Sequence, residues 1–190
     1  YKTSTKKSAK AKTKKLTYTM KVAKASVALS GDSAVAVGST TKLTTTKKAS
    51  SRAKITYTSS DETIATVSED GTVKGVKAGK ATITAKLTIG KDSATATKDV
   101  EVKNYVLKSV AQNKTNELVA TIDGATKNIK ASDVTIKTPD NVVLPVKSVS
   151  VDSKDATKVT LTTFSEMKDG KEYTVTLDGT TVNFVDTDNK

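Results

Sequence analysis

Apolar side chains fall on every second residue through most of this chain. Leu16, Tyr18, Met20 and Val22 alternate with Thr17, Thr19 and Lys21, and Ala81, Ile83, Ala85 and Leu87 alternate with Lys and Thr. KVTLTTF repeats the pattern with Val159 and Leu161, and EYTVTL with Tyr173, Val175 and Leu177. A period of two gives a strand one dry face and one wet face. No ten-residue window carries a convincing helical period, although ATKNIKASDV has room for one helical turn. Short strands separated by turn signals every 8–12 residues or so predict β-sandwiches.

Glycine and proline punctuate the strands. The stretch YTSSDETIATVSEDGTVKGVKAGKATITA, residues 57–85, spaces Gly71, Gly75 and Gly79 four apart. A phosphate-cradling loop would need G-x-x-x-x-G-K-[ST] and a following helix, and neither occurs. A membrane-helix dimer face fails because polar residues fill the gaps. Asp70-Gly71 instead predicts a two-residue type I′ hairpin, Ala78-Gly79 a second turn, and Gly75 a strand end or bulge. Gly38, Gly90-Lys91-Asp92, Asp123-Gly124, Asp169-Gly170 and Asp178-Gly179 mark further turns. TKLTTT reads as a strand centred on Leu43, and Pro145 within VVLPVKSVSV predicts an edge strand. KNYVLKSV, residues 103–110, has no Gly or Pro and reads as a tight junction between two runs of strands.

Composition agrees with this picture and narrows the chemistry. A length of 190 residues suits two domains of about 80–100 residues each. A hydrophobic content of 35% and a mean hydropathy of −0.38 fit thin sheets with one wet face. With no Cys and no His, the chain has no disulfide, no thiolate or imidazole metal ligand, no cysteine nucleophile and no histidine base. No run of about 18 apolar residues is present. Because it starts at Tyr1, the chain is expected to be processed or cut from a longer one. Residues 1–60 hold 14 basic side chains against the single acid Asp32, whereas residues 61–190 hold 18 basic and 19 acidic ones. The net charge of +12 therefore belongs to the N-terminal third.

Two resemblances follow from ordered motifs. VAVGSTTKLTTT, the core from ITYTSS to ATITA and the closing VEV make residues 27–102 resemble the bacterial immunoglobulin-like domain of group 2. Tyr57 stands where that family commonly has Trp, and is expected to fill the same core position. VLKSVAQNKTNELVATID, IKASDVTIKT, DATKVTLTT, KDGKEYTVTLDG and VNFV make residues 105–186 resemble the Ig-like repeats of bacterial surface-layer proteins. The resemblance implies a secreted bacterial surface protein whose domains act as bricks or spacers, and it carries no catalytic residues. The Phe-Asp-Val-Pro and Trp signature of wall-anchoring modules is not found in this sequence.

The expected architecture is all-β. A basic extension (1–24) with one strand at 16–22 precedes an Ig-like sandwich at 25–104 and a second at 105–190. Lys6, Lys7, Lys10, Lys12, Lys14 and Lys15 could grip an anionic cell-wall polymer through their summed field, or could form a solvated spacer. Nucleic acid is disfavoured, because lysines without interleaved aromatics or Arg give poor stacking and poor bidentate readout. Leu16, Tyr18, Met20 and Val22 could add a strand to an open sheet edge, of this chain or a neighbour. Asp61-Glu62, Glu69-Asp70, Asp186 and Asp188 could offer oxygens to a structural Ca²⁺, although no EF-hand spacing exists; they read better as solvated surface acids near turns. Ser165-Glu166-Met167-Lys168 has S-x-x-K spacing without its companion motifs and reads as a loop. Paired carboxylates for glycoside cleavage have no cleft marked around them. Five tyrosines and two phenylalanines across two cores leave few aromatics for a carbohydrate platform. The expected function is a non-enzymatic, self-assembling subunit of a surface layer or filament, with no bound cofactor. Its partners would be copies of itself, neighbouring surface proteins or a wall polymer. An adhesin stalk or ligand-binding module, or a phage virion decoration domain, is the alternative.

Overall fold

The computed structural model describes residues 24–186. The Lys-rich stretch and the strand expected at 16–22 lie outside the described residues. Nine strands form the first sandwich: β1 (Ser26–Ser30), β2 (Ala34–Ala36), β3 (Thr40–Lys42), β4 (Thr44–Lys48), β5 (Lys54–Ser59), β6 (Ala65–Val67), β7 (Thr72–Gly75), β8 (Gly79–Ile89) and β9 (Asp92–Lys103). A four-stranded sheet in the order β2-β9-β8-β5 faces a three-stranded sheet β3-β7-β6, and β1 and β4 form a separate ladder. The alternation read in β8 holds, with Ala81, Ile83, Ala85 and Leu87 all buried. Val35, Leu43, Ala65, Val73, Ala81, Ile83, Val100 and Val102 make one core drawn from both sheets.

Three local expectations change here. TKLTTT is two strands rather than one: β3 pairs with β7 and β4 with β1, and Leu43 is the buried pivot between them. Its N–H donates to the Gly71 carbonyl at 3.0 Å, so the switch costs no hydrogen bond. Asp70-Gly71 is not a type I′ pair, since only Gly71 has positive φ (82°). The Gly71 N–H donates to the Ser68 carbonyl, and the Ser68 N–H to the Thr72 carbonyl, which gives a three-residue loop ending in a glycine bulge. Tyr57 is half-buried at the rim rather than in the core; its hydroxyl lies 2.6 Å from Thr45 Oγ1, and its ring packs over Gly71.

The second sandwich contains β10 (Tyr105–Lys114), β11 (Glu117–Gly124), β12 (Val134–Lys137), β13 (Val143–Leu144), β14 (Val146–Val151), β15 (Lys158–Thr163), β16 (Glu172–Leu177) and β17 (Thr180–Val185). Its sheets run β10-β11-β15-β14 and β13-β12-β16-β17. ATKNIKASDV supplies two 3-10 turns, Thr126–Asn128 and Ala131–Asp133. Pro145 falls between β13 and β14, where the chain leaves the edge of one sheet for the edge of the other. Leu118, Ile122, Ile136, Leu161, Val175 and Leu177 are fully buried between the sheets. Tyr173 and Phe184 stack at 5.5 Å across the β16–β17 pair.

Gly75 ends β7 at a close approach rather than a turn: a Cβ there would lie 2.6 Å from the Ala36 carbonyl oxygen and 3.0 Å from Val102. Backbone cannot yield as a flexible side chain can. Gly75→Ala is therefore expected to cost about 2–3 kcal/mol in urea unfolding. Gly90→Ala, with open space around it and φ of 57°, should cost only the left-handed penalty of about 1 kcal/mol.

Asp-x-Thr recurs at three turns. The carboxylates of Asp61, Asp70 and Asp155 each accept both the backbone N–H and the hydroxyl of the Thr two residues on, Thr63, Thr72 and Thr157. These bonds favour the ionised acid and hold all three carboxyls below the ordinary carboxylate range. At Asp70 the Lys42 ammonium is the largest cause, followed by the Ser68 hydroxyl. Because the folded pKa values are depressed, this stabilisation is present above the unfolded value and lost as pH falls through the folded one. The urea midpoint should stay level from neutral pH to about 5 and fall below about pH 4, and Asp70→Asn should flatten that fall.

Candidate functional site

A cluster of polar contacts gathers at the joint between the two sandwiches. β9 ends at Lys103 and β10 begins at Tyr105, so Asn104 alone separates them. Lys103 is tied on both sides. Its carbonyl accepts from the Val37 N–H at 2.8 Å, which anchors it to the first domain. Its ammonium, on a side chain only 14% exposed, donates to the Asp178 carbonyl at 2.8 Å and lies 3.4 Å from the Glu101 carboxylate.

Asp178 and Gly179 form the turn of the β16–β17 hairpin, with φ of 48° and 70° and Leu177 paired to Thr180. Positive φ at both central positions is what a two-residue hairpin requires. This turn reaches the unpaired edge of β10. The Asp178 carboxylate accepts from the Tyr105 N–H at 3.2 Å, and the Thr180 hydroxyl accepts from the Leu107 N–H at 2.9 Å. Edge N–H groups that would otherwise face solvent or another strand are satisfied by these side chains. Lys108 adds a charge bridge, with its ammonium 3.7 Å from both Asp32 of the first domain and Asp123 of the second. Burial, then the negative charges of Asp133 and Asp178, push the Tyr105 hydroxyl pKa up and keep it protonated.

Asp123-Gly124, expected as a turn, is instead the end of β11, and Gly124 pairs with Tyr105. A Cβ on Gly124 would lie 2.2 Å from the Asn104 carbonyl oxygen. The glycine is there so that the link can cross it.

Asp188 lies outside the described residues, and the other candidates within them are not brought together. Lys6, Lys7, Lys10, Lys12, Lys14 and Lys15, and Leu16, Tyr18, Met20 and Val22, lie outside the described residues. Asp61 and Asp70 are occupied by their own turns. Asp186 is buried rather than a surface acid. Among the described residues no three acids are grouped so as to hold a metal ion. Ser165, Glu166 and Lys168 share an open depression with Tyr173, but no hydrogen bond joins the Ser165 hydroxyl to the Lys168 amine. The Lys168 backbone N–H instead donates to the Tyr173 hydroxyl at 2.7 Å. No described helix is long and apolar enough to cross a membrane.

Comparison with known proteins places the first domain. Residues 23–98 match the family model of the bacterial Ig-like domain (group 2). A 50-residue stretch is 52% identical to part of an alpha-L-arabinofuranosidase of Bifidobacterium longum subsp. longum; it covers 26% of this chain and 5% of that enzyme. Domains 4 and 5 of the S-layer protein SbsC are 18% identical, with 85% of this chain and 96% of that one covered at a TM-score of 0.33. The Bacteroides ovatus mixed-linkage glucan utilisation protein SGBP-B is 16% identical, with 80% and 41% covered at a TM-score of 0.30.

Gly124→Ala should open the joint. The expected result is a loss of about 2 kcal/mol or more, together with the splitting of one cooperative thermal transition into two by calorimetry.

Proposed function

We propose that this chain is a non-enzymatic structural piece of a secreted bacterial cell-surface protein, in which two Ig-like domains form a stiff spacer of a surface layer or filament. The observation that carries this reading is the one-residue link clamped by Lys103, Asp178 and Lys108. A tether meant to bend would carry Gly, Ser or Pro residues between its domains. Here a strand of one sandwich passes almost directly into a strand of the next. The group 2 match of the first domain supports the surface setting.

Self-assembly through sheet edges is the finer part of the proposal. It is favoured by an apolar patch at the edges of the second domain: Val142, Val143 and Phe164 are 60%, 54% and 68% exposed. The Phe164 N–H donates to the Pro145 carbonyl, which places the backbone of this residue beside the β13–β14 crossing. Exposed apolar groups beside unpaired edges favour association with another chain. An adhesin stalk would use the same stiffness without this patch being covered.

Two measurements separate these readings. Amide relaxation of the whole chain should report one rotational correlation time for both domains; independent tumbling would overturn the stiff spacer. Sedimentation over a concentration series, with and without Ca²⁺, should show association that Phe164→Lys with Val143→Lys abolishes. A monomer at every concentration would leave the stalk.

A further inference from the structure

One sheet edge of the first domain is open along its length and carries opposite charges at its two ends. β5 is the outermost strand of the sheet β2-β9-β8-β5 and pairs only with β8. Its register sets Lys54 against Thr88 and Ser59 against Ile83, and one step further the Ser60 N–H donates to the Thr82 carbonyl at 3.0 Å. Antiparallel ladders alternate, so Lys54, Thr56, Thr58 and Ser60 turn their backbone groups towards β8. The N–H and C=O groups of Ile55, Tyr57 and Ser59 therefore face away from the sheet. Among the described residues no backbone group bonds to them from that side.

Several other edges are short or guarded, as edges facing water usually are. β2 and β6 have three residues each, β13 has two, and β14 carries Lys147 two positions after Pro145. β5 has six residues, with no Gly, no Pro and no charge between Lys54 and Asp61. Beside it Ile55, Tyr57 and Val67 line a shallow depression with Lys54 and Glu69. Charge runs lengthwise: Arg52 and Lys54 stand at the entry to the strand, and Asp61 and Glu62 follow its exit. Arg52, Lys54 and Glu62 are exposed, and among the described residues none of them is in an ion pair. A second β5 added in parallel would set like charge against like, whereas an antiparallel one sets cations against acids at both ends.

We propose that β5 is a docking edge for the β5 of a second copy of this chain, paired antiparallel about Tyr57. Three conditions select this register. Residues opposite one another must share a face of the sheet, the outward groups of Ile55, Tyr57 and Ser59 must meet their counterparts, and the ends must match in charge. With Tyr57 opposite Tyr57, Ile55 falls against Ser59, Thr56 against Thr58 and Lys54 against Ser60, and Arg52 comes up to Glu62. The outward groups then form about six hydrogen bonds. Centring on Ile55 instead sets Lys54 against Thr56 and Arg52 against Thr58, and the acids lose their partners. The same patch serves both copies, so the contact is two-fold and closes on itself. It shares edge association with the assembly reading above, but stands on a different domain from the Val142, Val143 and Phe164 patch.

The test uses the full chain, which has no cysteine of its own. Thr56 of one copy and Thr58 of the other form a non-hydrogen-bonded pair with Cα atoms about 4.5 Å apart, within disulfide reach. Two Thr56 residues, or two Thr58 residues, lie on the diagonal at about 7–8 Å, beyond it. Both positions are exposed, so neither substitution touches the core. Under mild oxidation an equimolar mixture of Thr56→Cys and Thr58→Cys should give at least about fivefold more disulfide dimer than either variant alone at the same total concentration. Equal yields in the three samples would overturn the register, and no dimer in any of them would overturn the edge. Arg52→Glu carried by both partners should lower the yield at least about threefold, and adding Glu62→Arg should restore it. No recovery would overturn the antiparallel charge match. The yield should stand when both partners also carry Phe164→Lys and Val143→Lys, so failure of the second-domain patch and failure of this edge are read separately.

Discussion

The first sandwich is held by a core without an aromatic side chain. Valine, alanine, leucine and isoleucine fill it, and Tyr57 stays at the rim. Small side chains cover a dry face only if the opposing backbones come close, because a void forfeits both dispersion contacts and burial. Gly75 marks one such approach, against the Ala36 carbonyl. The second sandwich has Tyr173 and Phe184 as fillers, and its tightest approach lies at its entrance, where Gly124 passes Asn104. Close packing therefore fixes the shape of the first core in one domain and the angle of entry in the other.

Much of this was legible in the chain. The alternation in β8, β15 and β16 reports which side chains are buried, because each of these strands has one dry face. Pro145 announced an edge because proline cannot donate to a ladder. Dipeptides were less reliable. Asp-Gly occurs at 70–71, 123–124, 169–170 and 178–179, and three of these sites use it in three different ways. At 178–179 both residues turn the chain; at 70–71 the glycine alone is left-handed, as the Asp carboxylate is taken up by Thr72. At 123–124 no turn occurs, and the need for glycine comes from a carbonyl 20 positions earlier in the chain. Local sequence carries no trace of that crossing.

The joint was half legible for the same reason. A junction lacking Gly and Pro at 103–110 reads as stiff, but nothing near Lys103 points to Asp178. Their contact depends on the β16–β17 hairpin reaching across to the free edge of β10. A hairpin turn is ordinarily a surface detail. Here its backbone carbonyl, its carboxylate and the following hydroxyl each accept a bond from the link or the strand after it.

Lysine stands in two settings in the first domain, and salt would separate them. At the joint Lys103 is mostly covered and bonded to a carbonyl, while the Tyr105 and Leu107 N–H groups are held by short neutral or charge-assisted bonds. Screening acts mainly on solvent-exposed charges, so added salt weakens the Lys108 bridge and leaves the rest of the clamp. Lys47, Lys48 and Lys54, toward the other end of the domain, are exposed, so the same salt screens them. Lysines of one domain thus answer salt differently, because they sit in different dielectric surroundings.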